Sequence, residues 1–369
     1  MPTITVKSSA GNYAVVCQAG ALGRGAKLIG GLGDTTGVYF VSSPRVWRYW
    51  GRAVAKAIPA KNARRPILFD DAESEKRLAA VEDIARQLVR AGADRRATIV
   101  AIGGGVVGDV AGFAAATYLR GVRLVHIPTT VVAQVDSAVG GKTAVDLPEG
   151  KNLVGAFYPP KLVIVDPAFL RTLPHREFRS GLYEVVKYGV IADPKLFAFL
   201  EKRMDTVLRR DPKALDYIIS RSIAIKADVV GKDERESGLR QILNFGHTLG
   251  HALETATNYR RFLHGEAIGW GMLAVTSMAV QMKCLPHWDA ARISALIASV
   301  GPLPPVGKIS PAQLRPIMLG DKKARGGRVL WVLPSRVGKT EWGREVPWPL
   351  VARVVGQLES LPAGAFRPQ

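Results

Sequence analysis

The chain has 369 residues, of which 47% are hydrophobic and 22% are charged, values typical of a globular protein with room for two domains. No apolar run reaches the ~18 residues that a membrane span requires, and the first residues lack the basic and apolar segments of a signal peptide. The two cysteines, Cys17 and Cys284, have no metal-type spacing. These features predict a cytoplasmic protein with free thiols and no membrane partner.

The net charge of +20 raises the question of a polyanionic partner. The basic residues are scattered along the chain, and the sequence contains no long basic run, no zinc-finger spacing and no RNA-binding aromatic motif. We therefore expect no nucleic acid as the main partner. A positive field also suits a small polyanionic substrate, which we favour.

In the first half of the chain, short apolar runs with β-branched residues alternate with segments of helical periodicity. The predicted strands cover residues 12–18, 38–43, 66–70, 97–102, 124–128 and 162–165. The predicted helices cover residues 75–91 and 106–119. This alternation predicts a mostly parallel sheet whose ligand-binding loops lie at the carboxyl ends of the strands.

After residue 167 helical periodicity dominates, and Pro, Gly and charged turns separate the segments. The predicted helices cover residues 176–191, 194–209, 212–231, 239–257, 265–282, 290–300 and 348–361. One further strand is predicted at 329–333. The sequence therefore predicts an α/β domain over residues 1–170 and a mainly helical domain over residues 171–369.

A glycine-rich segment at residues 103–109 follows a predicted strand, opens a predicted helix and satisfies the pattern G-x-G-x-x-G. Glycines let the backbone approach a pyrophosphate, and the N-terminus of a helix favours the anion. The loop does not follow the first strand, however, and no acidic residue ends the next strand to hold a ribose. The pattern favours a dinucleotide in an α/β domain that is wound differently from the Rossmann fold. A tight turn without a ligand is the alternative.

A second polar segment covers residues 128–152. In chain order it contains Asp136, Ser137, Gly140, Gly141, Lys142, Thr143, Lys151 and Asn152. Backbone amides at a glycine pair, together with two lysines and an asparagine, indicate a phosphate or carboxylate site. The segment is not a P-loop, because Asp136 stands where that motif requires a glycine. A polar surface loop is the alternative.

If residues 239–257 form one helix, a polar stripe crosses an otherwise apolar surface. The stripe consists of Arg240, Asn244, His247 and His251. Such a stripe is costly to bury unless something polar meets it, and two histidines at i and i+4 can bind one metal ion. A solvated helix face is the alternative.

A carboxylate for this metal site is available at Glu184, which shares a predicted helix face with Lys187. One carboxylate and two histidines form a ligand set for catalytic zinc, with a position left open for a substrate oxygen. The spacing favours His247 and His251 as the histidine pair, and His264 is a competing choice. A solvated Glu–Lys pair is the alternative interpretation of Glu184.

Five segments together resemble the 3-dehydroquinate synthase family of the sugar phosphate cyclase superfamily. They are GGGVVGDVAGFAAATYLRG, PTTVVAQVDSAVGGKTAVDLPEGKNLVGAFYPP, LYEVVKYG, DERESGLRQILNFGHTLGHALE and HGEAIGWGM, in collinear order. The resemblance implies an α/β N-terminal dinucleotide-binding domain and a C-terminal all-α metal-binding domain. It also implies NAD, a divalent metal (Zn²⁺ or Co²⁺) and a homodimer.

The resemblance further implies a role for each matching residue. The metal ligands fall on Glu184, His247 and His264, so that His251 becomes a substrate-side group. The residues implied for NAD binding are Glu73, Lys76, Gly104, Gly105, Asp109, Thr129, Thr130, Lys142, Lys151 and Thr172. The residues implied for substrate binding are Asp136, Lys142, Asn152, Lys187, Lys226, Arg240, Asn244, His251, Lys322 (or Lys323) and Arg120, which is lent across the dimer interface. Within this set, the implied catalytic residues are Asp136, Lys187, Asn244 and His251.

The implied reaction converts 3-deoxy-D-arabino-heptulosonate 7-phosphate to 3-dehydroquinate and phosphate. It proceeds by transient oxidation with NAD, phosphate elimination, reduction and aldol cyclisation. The sequence departs from the family's usual residues at Ala72, Glu75 and Tyr183, and at the loop Ser42-Ser43. The alternatives are another sugar phosphate cyclase of the same superfamily and a metal-dependent polyol dehydrogenase.

Overall fold

A computed structural model of the protein describes residues 3–59, 65–320 and 328–360. The chain divides into two compact units. The first consists of Met1–Pro174 and Leu215–Glu234, and the second of His175–Ala214 and Arg235–Gln369. None of the described helices is long and apolar enough to cross a lipid bilayer.

The first unit is built on a seven-stranded sheet in the order β1-β2-β9-β6-β5-β3-β4. These strands are β1 (Thr3–Val6), β2 (Tyr13–Cys17), β3 (Val38–Ser42), β4 (Ile67–Leu68), β5 (Thr98–Gly103), β6 (Arg123–Pro128) and β9 (Leu162–Val165). Only the β1–β2 pair is antiparallel. The parallel sheet and all six strands predicted for it are confirmed, whereas β1 was not predicted.

Both faces of this sheet are covered by helices, because its central strands carry apolar side chains on both sides. The helices are α1 (Gly25–Gly30), α2 (Pro44–Ala57), α3 (Leu78–Arg90) and α4 (Gly105–Thr117). Ile99 of β5 belongs to the apolar cluster shared with α3 and α4, and Val100 belongs to the cluster shared with α1 and α2. Helix α2 was not predicted, although Ser43 accepts a hydrogen bond from Val46 N at its start.

A separate antiparallel hairpin, β7 (Lys142–Leu147) and β8 (Gly150–Phe157), contains much of the second polar segment. This segment was predicted only as a polar loop. More exposed and more buried side chains alternate along much of both strands. Lys142 and Phe157, which pair across the hairpin, are both exposed, so one face of the hairpin is open to solvent. A π-helical turn, Ala133–Ser137, precedes the hairpin.

The second unit is mainly helical. Its described helices are α5 (His175–Ala192), α6 (Pro194–Leu208), α8 (His247–Ala256), α9 (His264–Gln281), α10 (His287–Val300), α11 (Pro311–Gly320) and α12 (Trp348–Gly356). It also contains a hairpin of β10 (Leu330–Arg336) and β11 (Lys339–Glu345), so this part of the chain is not purely helical. One of these two strands was predicted.

The unit boundary near Pro174 lies close to the predicted boundary at residue 170, but the residues Leu215–Glu234 of helix α7 (Pro212–Lys232) and just beyond it belong to the first unit. Long-range contacts explain the difference. Lys226 pairs with Asp136, and Glu234 accepts hydrogen bonds from Ser8 Oγ and Ser9 N. The periodicity of the sequence predicts helix α7, but it does not predict the unit against which this helix packs.

The prediction of one continuous helix over residues 239–257 is wrong. Residues Leu239–Asn244 form a 3₁₀ helix, and α8 begins only at His247. Gly246 between them has φ 79°, a left-handed conformation that ends the helical path. The backbone at Gly246 also lies close to α9. A Cβ added to Gly271 of α9 would lie only 1.8 Å from Gly246 O. The predicted single stripe of four polar residues is therefore broken.

Candidate active site

The glycine-rich loop lies at the carboxyl end of β5, where a parallel sheet binds ligands. Gly104 is the N-cap of α4 and has no side chain to cap the helix amides. A Cβ on Gly104 would lie 3.2 Å from Thr130 Cγ2, and a Cβ on Gly105 would lie 3.3 Å from Ser137 Oγ. Thr129 N donates to Gly103 O at 2.9 Å, which brings the two strand ends together. Helix α4 therefore begins at two glycines, an arrangement in which the backbone N–H groups of a helix N-terminus can bind a phosphate.

A hydrogen-bond network centred on the buried Lys76 joins three segments of the first unit. Lys76 Nζ lies 2.6 Å from Asp109 Oδ2 and also donates to Asn152 Oδ1. Asp146 accepts a hydrogen bond from Asn152 N at 2.8 Å, and its own N–H donates to Lys76 O at 2.7 Å. The network thus unites residues implied for NAD with Asn152, which was implied for the substrate.

The charge of Lys76 is maintained by this network. Burial lowers the pKa of Lys76, but the carboxylates of Asp109 and Glu73 outweigh burial and raise that pKa above its ordinary value. Glu73 also forms an ion pair with Lys151 at 2.9 Å. Four residues implied for NAD binding therefore form one charged cluster.

Two other residues implied for NAD follow strands of the same sheet: Thr130 comes shortly after β6, and Thr172 ends the 3₁₀ helix after β9. Thr172 Oγ1 accepts a hydrogen bond from Trp50 Nε1 at 2.8 Å. Thr130 Oγ1 accepts from Ala133 N at 3.1 Å, which fixes the start of the π-helical turn. In the loop Ser42-Ser43, Ser42 Oγ donates to Ile102 O at 2.7 Å, and Ser43 Oγ accepts from Val46 N. Both serine side chains therefore form hydrogen bonds with the backbone.

A second lysine, Lys226 of α7, is bound to Asp136. Its Nζ lies 2.7 Å from Asp136 Oδ1 and 2.6 Å from Asp136 O. Lys226 is only 5% exposed. The pair fastens α7 to the π-helical turn, and both residues were implied for substrate binding.

Two further basic residues implied for the substrate are exposed. Lys142 lies at the start of β7. Arg120 is exposed in a turn in which Leu119 and Arg120 have φ values of 48° and 66°. Lys322 and Lys323 lie outside the described residues.

The second unit gathers three histidines and one carboxylate. Among the described residues, one ring nitrogen from each of His247, His251 and His264 lies within 4.8 Å of the other two. Glu184 Oε1 lies 3.5 Å from Nε2 of His247 and 3.5 Å from Nε2 of His264. Glu184 is fully buried, and Lys187 Nζ forms an ion pair with it. The histidine pair favoured by spacing, His247 and His251, therefore lies in the same cluster as the implied ligands Glu184, His247 and His264.

The orientation of two of the rings suits metal binding. His247 Nδ1 lies 3.1 Å from Phe245 O, and because a carbonyl only accepts, Nδ1 carries the hydrogen. His264 Nδ1 lies 3.1 Å from Glu254 Oε2. Both Nε2 atoms are therefore directed at Glu184, and two imidazole nitrogens with a carboxylate oxygen match the donors that Zn²⁺ and Co²⁺ prefer.

The electrostatics of the cluster also favour a cation. Burial lowers the pKa of His264, but Glu254 and Glu184 outweigh burial and raise that pKa to about 10. The two carboxylates beside this ring, Glu184 and Glu254, place negative charge at the cluster and therefore favour a bound cation. The donor set and its charge fit a divalent metal.

The other polar residues implied for this unit flank the cluster in the chain. Asn244 ends the 3₁₀ helix, and its Nδ2 donates to Glu236 Oε1 at 2.6 Å. Arg240 in the same 3₁₀ helix is only 3% exposed. The break at Gly246 therefore separates these two residues from the histidines of α8.

Sequence reasoning missed two residues that support the sites. Asp146 joins Asn152 to the Lys76 segment. Glu254 contacts His264, and its position seven residues after His247, on the same face of α8, was the available signal.

Comparisons with known proteins cover most of the chain. A family model described as 3-dehydroquinate synthase N-terminal matches residues 66–180, and one described as 3-dehydroquinate synthase C-terminal matches residues 181–324. A 3-dehydroquinate synthase from Koribacter versatilis is 45% identical over 324 residues, which cover 88% of this chain and 88% of the relative.

Two solved structures share the fold over nearly the whole chain. A 2-deoxy-scyllo-inosose synthase complexed with carbaglucose-6-phosphate, NAD⁺ and Co²⁺ is 28% identical, with a TM-score of 0.84 over 96% of this chain and 99% of the other. A 2-epi-5-epi-valiolone synthase from Streptomyces hygroscopicus subsp. jinggangensis, with NAD⁺ and Zn²⁺ bound, is 27% identical, with a TM-score of 0.86 over 98% and 99%. Because both family models and a 45% identical relative agree, the chain belongs to the 3-dehydroquinate synthase family.

Proposed function

We propose that the protein converts 3-deoxy-D-arabino-heptulosonate 7-phosphate to 3-dehydroquinate and phosphate, the second reaction of the shikimate pathway, with NAD and a divalent metal as cofactors. The observation that carries this proposal is the convergence of Glu184, His247 and His264 in a chain of this family. The solved relatives bind NAD⁺ together with Co²⁺ or Zn²⁺. When bound, the metal supplies a Lewis acid that lowers the pKa of a substrate alcohol, and NAD supplies a reversible hydride acceptor.

We assign the metal to Glu184 Oε1 and to Nε2 of His247 and His264. An imidazole nitrogen of His251, which lies in the same cluster, accepts the alcohol proton. Lys187 Nζ holds Glu184 in place through their buried ion pair. Retention of near-full turnover by a His251→Ala variant would refute the role of His251.

We assign the pyrophosphate of NAD to the backbone amides of Gly104 and Gly105 at the start of α4. The charged cluster around Lys76 and the threonines at the end of β6 bind the rest of the cofactor. Together with Lys142 and Thr172, the residues that we assign to NAD are Glu73, Lys76, Asp109, Thr129, Thr130 and Lys151.

The substrate carries a carboxylate and a phosphate, and most of the residues that we assign to these two groups are basic. Lys142, Asn152 and Arg120 of the partner subunit bind the phosphate, and Arg240 and Lys226 bind the carboxylate. Asp136 and Asn244 orient the hydroxyl groups. The net charge of +20 attracts such an anion over long distances.

A homodimer follows from the assignment of Arg120, and the exposed surface of the first unit supports it. Leu119, beside Arg120, is 40% exposed, and Leu153 and Phe157 on one face of β8 are 43% and 51% exposed. Large apolar side chains at a surface are typical of an interface. We place the enzyme in the cytoplasm, where the thiols of Cys17 and Cys284 stay reduced.

A cyclase that acts on another sugar phosphate is the second candidate, since both solved relatives are such cyclases at 27–28% identity. The higher identity of 45% to a 3-dehydroquinate synthase favours the heptulosonate. A polyol dehydrogenase would consume NAD stoichiometrically.

The test is phosphate release from the heptulosonate phosphate with catalytic NAD and Zn²⁺, while absorbance at 340 nm reports NADH. The expected result is stoichiometric phosphate release without accumulation of NADH. Release from glucose 6-phosphate instead would identify another cyclase. NADH accumulation with a polyol would identify a dehydrogenase. A Glu184→Gln variant is the control for contaminating phosphatase.

A further inference from the structure

We propose that Glu254 is a positioning residue that fixes the ring of His264 for metal binding. Its Oε2 lies 3.1 Å from His264 Nδ1, while Nε2 of the same ring lies 3.5 Å from Glu184 Oε1. The ring is therefore held at both nitrogens. This inference rests on the metal site proposed above and adds a residue to it.

The need for such a contact follows from where His264 lies. It is the first residue of α9, and its side chain is 34% exposed, whereas that of His247 is 10% exposed. Packing therefore confines the ring of His264 less than the ring of His247. A hydrogen bond from Nδ1 to a fixed acceptor restores the constraint, because it selects both the tautomer and the ring orientation.

Glu254 is well placed to be that acceptor. It lies on α8, seven residues after His247 and on the same face of the helix. Its side chain is 5% exposed, so its carboxylate has little freedom to move into solvent. One helix thus carries one proposed ligand and the group that orients the other.

The two proposed histidine ligands, His247 and His264, differ in the group that accepts a hydrogen bond from their Nδ1. His247 donates to a neutral carbonyl, Phe245 O, and His264 donates to the carboxylate of Glu254. A carboxylate acceptor makes the imidazole a stronger donor to a metal than a neutral acceptor does. Loss of the charge alone should therefore weaken metal binding, even where a hydrogen bond survives.

The experiment measures Co²⁺ affinity by chelator competition and the visible absorption spectrum of the Co²⁺-loaded protein, without turnover. In Glu254→Ala, affinity should fall about 10–100-fold and the Co²⁺ bands should shift, because removal of such an acceptor costs that much. In Glu254→Gln, an amide oxygen still accepts from Nδ1, so we expect a loss of about 3–10-fold.

Glu266→Gln is the matched control. Glu266 is also a buried carboxylate, lies on α9 close to His264, and binds Arg176 and Leu263 N rather than a histidine. This variant should lower thermal stability and leave Co²⁺ affinity within about twofold, since its contacts are structural. Equal losses of affinity in Glu266→Gln and Glu254→Ala would overturn the inference, because α9 as a whole would then be the cause.

Failure of the inference can be told apart from failure of the proposed function. If the wild-type protein binds no Co²⁺, the metal site itself is wrong. If the wild type binds Co²⁺ and Glu254→Gln binds it with unchanged affinity and spectrum, only the role of Glu254 is wrong. Glu254→Gln settles the question even if Glu254→Ala does not fold.

Discussion

Lys226 Nζ lies 2.7 Å from Asp136 Oδ1 and 2.6 Å from Asp136 O, although the two residues are 90 positions apart in the chain. The lysine thus binds both the side chain and the backbone of one residue in the π-helical turn. This double contact holds the middle of α7 on the first unit, although α7 begins in the second.

Replacement of Lys226 by methionine should lower the free energy of unfolding by about 2 kcal/mol, because it leaves a carboxylate and a carbonyl without their charged donor. Because we assign Lys226 to the substrate carboxylate, turnover should also fall about 100-fold. This corresponds to about 2.7 kcal/mol, within the range of about 2–5 kcal/mol that the loss of one partner of a buried charge pair costs. Urea denaturation and phosphate release measure the two effects. Lys232→Met on the same helix removes an exposed pair with Asp228 and should change stability by less than about 0.5 kcal/mol. Equal effects of the two substitutions would contradict this prediction.

Glu184→Gln should bring the bound Zn²⁺ to below about one tenth of the wild-type amount, because it removes the carboxylate that faces both Nε2 atoms. Metal content after gel filtration, measured by mass spectrometry, checks this. Glu177→Gln on the same helix is the control and should retain full metal content. Wild-type metal content in Glu184→Gln would show that the three histidines suffice.

Gly104→Val should weaken NAD binding about tenfold or more, because branched methyl groups would occupy the position that we assign to the pyrophosphate. A Cβ at this position already lies 3.2 Å from Thr130 Cγ2. Isothermal titration calorimetry with NAD measures the affinity. Gly30→Ala, whose Cβ would have no neighbour within 4 Å, is the control. Unchanged NAD affinity in Gly104→Val would exclude the loop from the cofactor site.

Gly271→Ala should destabilise the protein by about 1–3 kcal/mol, because overpacking of a close backbone contact forces segments apart. The added Cβ would lie 1.8 Å from Gly246 O, directly before His247. We therefore also expect weaker metal binding. Thermal denaturation and Co²⁺ titration measure the two effects, and Gly356→Ala, in open space, is the control. A Gly271→Ala protein with wild-type stability would disprove the close contact.

We expect His126 to make the free energy of unfolding depend on pH. Burial lowers its pKa from 6.5 to about 4, so between these values the unfolded chain binds a proton that the folded protein does not. Stability is therefore lost as the pH falls from about 6.5 towards 4. From pH 7.5 to pH 5 the wild type should lose about 2 kcal/mol more than His126→Asn, measured by urea denaturation at each pH. Parallel losses in the two proteins would show that His126 is not the responsible group.

Local patterns predicted six of the seven strands of the sheet and most of the described helices, because side-chain periodicity follows from which face of an element is buried. The glycine-rich loop at the end of β5 is also a local feature, since its residues are consecutive. The prediction of one helix over residues 239–257 failed, because the break at Gly246 depends on its contact with Gly271 of another helix. Helix α2 was missed although Ser43 and Pro44 at its start were an available local signal.

The sequence by itself determined the kinds of groups present: glycines before a helix, lysines beside an asparagine, and histidines near a carboxylate. These features depend on residue identity and on the geometry of short segments. The family resemblance implied that Glu184, His247 and His264 bind one metal, but only the tertiary structure decided that Glu184 of α5 lies beside His247 of α8 and His264 of α9. It also decided that Glu254 contacts His264 and that Lys226 contacts Asp136. Such pairings arise from the packing of elements that are distant in the chain, and no local pattern encodes them.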